Sequence, residues 1–100
     1  MPSVSTSVPH QLSKAEAMER IKKFGVTLQE KYEGQFKDFD ESWSDNLLNF
    51  AFKTMGMAFK GTVQVEEDEV KVDGNLPFAA MMFKGRIESE VRGALEKLLA

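Results

Sequence analysis

One hundred residues, 42% of them hydrophobic and 29% charged, point to a single globular domain with one small core. With 13 basic against 16 acidic residues and a net charge of −3, no broad cationic surface for nucleic acid is expected. The chain has no cysteine, which excludes disulfides and thiolate sites.

The start, Met1 to His10, lacks the basic and apolar stretches of a signal peptide. No apolar run approaches the ~18 residues of a membrane helix. The expectation is a cytoplasmic protein without a transmembrane segment.

In chain order, Ser3 to Val8 alternates, placing Val4, Thr6 and Val8 on one side of a strand that Pro9 closes. The other reading of residues 1–10 is a partly disordered tail. Ser13-Lys14-Ala15-Glu16 is a capping box, in which Ser13 accepts from the Glu16 amide and Glu16 reaches back to the Ser13 amide. Met18, Ile21, Gly25, Leu28 and Tyr32 then recur on one helical face, widened by Phe24. Gly25 costs that helix about 1 kcal/mol against alanine and suggests close packing on a sheet. Gly34 is placed to end the helix.

Strands follow. Phe39, Glu41 and Trp43 share a face, then a turn falls at Ser44-Asp45-Asn46. Leu48, Phe50 and Phe52 point inward up to a turn at Met55-Gly56. Met57, Phe59, Gly61, Val63 and Val65 form the next inward set, before the acidic turn Glu66-Glu67-Asp68. Val70 and Val72 carry the last strand, which Leu76 could still finish. Connections this short force antiparallel neighbours, with one buried and one wet face. Beyond Pro77 a second helix is predicted, with Phe83, Ile87, Val91, Ala94, Leu95 and Leu98 on its apolar face. The fold class is therefore α+β, in the order β-α-β-β-β-β-α. It is an antiparallel meander sheet packed by two amphipathic helices, similar to a reduced helix grip, and spans residues 1–100.

Chemistry is hard to find in these residues. His10 is the only histidine, so a metal site lacks partners. Ser5, Ser7 and Ser13 sit on no nucleophile elbow. His10 is read as ending the first strand and bonding locally. Glu66 to Glu69 lacks the alternating ligands and central glycine of a calcium loop. Asp38, Asp40 and Glu41 are read as solvent-facing, without a second polar cluster for acid–base work. Gly56, Gly61 and Gly85 spell no phosphate loop. Trp43, Phe50, Phe52 and Phe59 are read as core rather than as a base-stacking platform. No catalytic residue, metal ligand or cofactor is expected.

Phe78, Met81, Met82 and Phe83 cannot all lie on one buried helix face. With Lys84 and Arg86 they form the candidate interaction surface. The competing reading tucks this junction under the sheet edge. Gly85, between the two cations, would let another backbone approach closely.

Matching motifs run over nearly the whole chain. They are His10-Gln11-Leu12 with Glu16-Ala17, Trp43 with Asp45, Leu48 and Phe50, Gly61-Thr62-Val63-Gln64-Val65, Asp68-Glu69-Val70-Lys71-Val72, and Leu76-Pro77-Phe78. The most specific is Phe83-Lys84-Gly85-Arg86-Ile87-Glu88 with Val91 and Leu95. On these the chain resembles the small polyhydroxyalkanoic acid system proteins of bacteria. The resemblance implies a non-enzymatic accessory protein of polyhydroxyalkanoate storage, located in the cytoplasm or on granules. Its implied partners are a granule surface or a granule protein, and a homodimer fits a domain this small. It supplies no catalytic residue. The alternative function is a small carrier of acyl or other apolar ligands held between sheet and C-terminal helix.

Overall fold

The alternating segments fold into five strands: β1 (Ser3–Pro9), β2 (Lys37–Ser44), β3 (Leu47–Thr54), β4 (Met57–Val65) and β5 (Glu69–Asn75). They make one antiparallel sheet in the order β1-β5-β4-β3-β2. The computed structural model describes residues 3–31, 34–35, 37–54 and 56–100, without the side chains of Leu28 and Phe78. The expectations for Leu28, Tyr32, Met55 and the Phe78 ring therefore lie outside the described set.

The first segment is a strand. β1 pairs with β5, setting Val4 opposite Gly74, Thr6 opposite Val72 and Val8 opposite Val70. The β2–β3 hairpin turns at Asp45, with φ +56°, and the β3–β4 hairpin at Gly56, with φ +77°. Both angles lie in the left-handed region that Asp, Asn and Gly tolerate best. Near its start β2 carries an irregularity at Asp38, whose φ is +52°. A bulge and charged residues on an edge strand oppose pairing with another sheet.

One face of the sheet is buried. Thr6, Val8, Leu48, Val63, Val65, Val70 and Val72 are all at most 9% exposed. On the other face Ser5, Ser7, Asn49, Gln64, Lys71 and Asp73 are exposed. Phe50 lies opposite Gly61 on the inner face. A Cβ at Gly61 would stand 2.6 Å from the Phe50 ring and 2.6 Å from the Asp73 carbonyl oxygen. Only glycine leaves room there for both the ring and the neighbouring strand.

Two helices cover this face, α1 (Lys14–Lys31) and α2 (Lys84–Leu99). Ala17 and Ile21 of α1 and Leu95 and Leu99 of α2 join the strand residues in one buried cluster. Burying such side chains fully is worth ~1.5–3 kcal/mol each for the larger ones. α2 runs mainly along β1, while α1 touches β4 and α2. Gly25 faces Glu41 of β2, but a Cβ there would sit 3.5 Å from its carboxylate, an ordinary contact, so the packing does not require a glycine.

The N-terminal cap of α1 forms in half of the expected way. The Glu16 amide donates to Ser13 Oγ at 3.1 Å. The Glu16 carboxylate faces Arg20 instead, at 3.2 Å. Arg20 also donates to the carbonyls of Leu98, at 3.0 Å, and Ala100, at 2.8 Å. These late carbonyls have no partners within α2, so the guanidinium satisfies them and ties the two helices together.

The second helix does not begin directly after Pro77. A 3₁₀ segment, Phe78–Phe83, comes first, and α2 starts at Lys84. No side chain caps either start. Leu76 and Ala80, 4% and 3% exposed, fix this segment to the body of the protein.

Candidate interaction surface

The polar residues singled out above do not converge. His10 is 8% exposed and both ring nitrogens are engaged. Nε2 lies 2.9 Å from the Glu66 carbonyl oxygen, and Nδ1 lies 3.2 Å from the Leu12 amide nitrogen. The amide can only donate, so Nδ1 accepts and the proton sits on Nε2. The His10 amide also donates to the Asp68 carbonyl at 2.9 Å. His10 thus braces the end of β1 against the β4–β5 turn, with no nitrogen left to activate a nucleophile. Local bonding was expected; the long-range partners at Glu66 and Asp68 were not.

Ser13 serves the α1 cap, and Ser5 and Ser7 lie on the wet face. In the acidic turn the Glu66 amide donates to the Glu69 carbonyl at 2.8 Å, which closes the hairpin. No group of three or more His, Asp or Glu is arranged to hold a metal ion among the described residues.

The carboxylates of β2 separate. Asp38 lies 3.5 Å from Lys53, and Asp40 is exposed. Glu41 differs from the expectation of a solvent-facing residue. It is half-buried under α1, accepting from Trp43 Nε1 at 3.0 Å and Gln29 Nε2 at 3.4 Å. The signal was present in the alternation that puts Glu41 on the side of Phe39 and Trp43. Lys22 completes this corner, its ammonium 5.1 Å from the Trp43 ring centroid. Phe39, Phe50 and Phe59 stack around Phe52, at centroid distances of 6.2, 6.2 and 5.3 Å. Trp43 and Phe50 pack against the buried cluster as expected, whereas Phe52 and Phe59, also expected in the core, are half-buried and lie outside that cluster, stacked on one another.

The junction cluster behaves differently. Met81, Met82 and Phe83 are 51%, 82% and 52% exposed, which overturns the reading that tucks them under the sheet edge. Among the described side chains of the 3₁₀ segment, the small Ala80 is the one turned inward. Phe83, expected on the buried face of the second helix, stands outside because the helix axis starts anew at Lys84. Lys84, Gly85 and Arg86 are also exposed. Arg86 Nε lies 3.3 Å from Glu90, and no ion pair forms at Lys84 among the described residues. A Cβ at Gly85 would meet nothing within 4 Å, so the close approach expected there is not used within the chain. Among the described residues, Val26 on α1 is the other large exposed apolar residue.

Two grooves flank the helices. One, about 600 Å³, lies between Val8 to Leu12 and the Arg92–Ala100 end of α2. The other, about 580 Å³, lies between Phe24 and the Glu90–Leu98 stretch. Both open to solvent. Between sheet and helices, by contrast, Val8, Leu95 and Leu99 are 2%, 6% and 4% exposed.

Residues 4–99 match the family described as "Putative polyhydroxyalkanoic acid system protein". The chain belongs to this family. Its description ties the members to polyhydroxyalkanoate systems and names no reaction. No curated protein and no solved structure matches the chain. No helix among the described residues of this family member is long and apolar enough to cross a membrane.

Proposed function

We propose that this protein is a non-enzymatic accessory protein that docks on polyhydroxyalkanoate storage granules, with the 3₁₀ segment and the first turn of α2 as its contact surface. One observation carries the reading: the consecutive Met81, Met82 and Phe83 are each at least half exposed, whereas Ala17, Ile21, Leu95 and Leu99 of the two helices pack into the core. Full burial of one such side chain is worth ~1.5–3 kcal/mol, enough for three together to hold a reversible contact. The unbranched Met side chains adapt to an irregular partner surface, and the Phe ring adds a large apolar area. The family description supplies the setting.

The test is co-sedimentation with isolated granules. Wild-type protein is expected in the granule pellet, and Met82→Asp/Phe83→Asp in the supernatant. Wild-type protein that stays in the supernatant at both low and high salt overturns the reading.

A further inference from the structure

We infer that the 3₁₀ segment and the start of α2 fit a layer of anionic amphiphiles over an apolar interior, rather than a folded protein partner. The inference rests on the reading of this segment as the docking surface, and it names what that surface meets.

The first reason is the absence of hydrogen-bonding side chains. Leu76, Pro77, Phe78, Ala79, Ala80, Met81, Met82 and Phe83 include none. A protein interface carries roughly one hydrogen bond per 100–200 Å² and a polar rim. An apolar interior asks for neither, provided the backbone bonds to itself. Here it does so at Ala80, whose amide donates to Pro77, and at Lys84, whose amide donates to Met81.

The second reason is shape. Ala80 seats the 3₁₀ segment, and Met81, Met82 and Phe83 are at least half exposed, so these side chains project rather than line a pocket. A projecting Met/Phe tip suits shallow insertion below a headgroup layer.

The third reason is charge. From Gly74 to Ile87 there is no acid, and Lys84 and Arg86 follow the apolar tip directly. The whole chain carries −3, so this corner is cationic on an acidic protein. Arg86 remains 77% exposed despite its contact with Glu90, and such surface pairs exchange readily. Anionic headgroups would attract this corner and repel the rest, which orients the approach.

The experiment is sedimentation with vesicles of phosphatidylcholine alone and of phosphatidylcholine mixed with phosphatidylglycerol. Wild-type protein is expected to bind the mixed vesicles about tenfold more tightly, and to release as salt is raised. Met82→Asp should weaken that binding at least tenfold, and Lys84→Gln/Arg86→Gln should remove most of the preference for the anionic lipid. Val26→Asp, an exposed apolar site on α1, should bind as wild type does. Equal binding to both vesicle types, or undiminished binding by Met82→Asp, overturns the inference. So does wild-type protein that sediments with granules but with neither vesicle; the docking reading then survives with a protein partner. Protein that sediments with neither granules nor vesicles defeats both.

Discussion

The two ends of α2 share a helix and little else. At the C-terminal end Leu95 and Leu99 are 6% and 4% exposed, and Arg20 holds the Leu98 and Ala100 carbonyls. At the N-terminal end Phe83, Lys84, Gly85 and Arg86 all face solvent. The C-terminal end completes the core. The N-terminal end adds nothing to it, and exposed Met and Phe side chains there go unexplained by stability.

The contrast makes graded predictions, each read by urea unfolding with a linear extrapolation. Leu95→Ala opens a cavity at the anchored end and should cost about 3 kcal/mol. His10→Ala removes the brace between Glu66 and Leu12 and should cost about 2 kcal/mol, since the buried imidazole is lost and two part-buried backbone partners are left unmatched. Arg20→Ala should cost about 1 kcal/mol and raise amide exchange at the end of α2, because only part-exposed carbonyls lose their donor. Phe83→Ala should change stability by less than about 0.5 kcal/mol. A Phe83→Ala loss that rivals Leu95→Ala would erase the difference between the two ends.

Much of the sheet was legible because a period of two is a direct consequence of the pleat. Val4, Thr6 and Val8 share a face as their spacing requires, and Asp45 and Gly56 mark the turns. The order of the strands was not legible, since pairing of β1 with β5 depends on contacts far apart in sequence. The role of Arg20 is hidden in the sequence for the same reason: its partners lie 78 and 80 residues away. The restart of the second helix at Lys84 was hidden too. Phe83, Ile87 and Val91 keep a helical spacing, and spacing alone does not reveal that the helix begins only after Phe83. As for the candidate surface, its composition was readable and its exposure was not. Four large apolar side chains in six residues exceed one helix face, but which of them face water depends on how Leu76 and Ala80 seat the segment.

On this reading the 3₁₀ segment and the start of α2 form the contact surface, while the sheet and the rest of α2 form the scaffold. Amide hydrogen exchange with and without granules tests it most directly. Protection should rise in residues 79–88 on granules and stay unchanged in β3, β4 and the Leu95–Leu99 end. Protection that appears instead on β2 or the wet face of the sheet, with residues 79–88 exchanging as in free protein, would contradict the account.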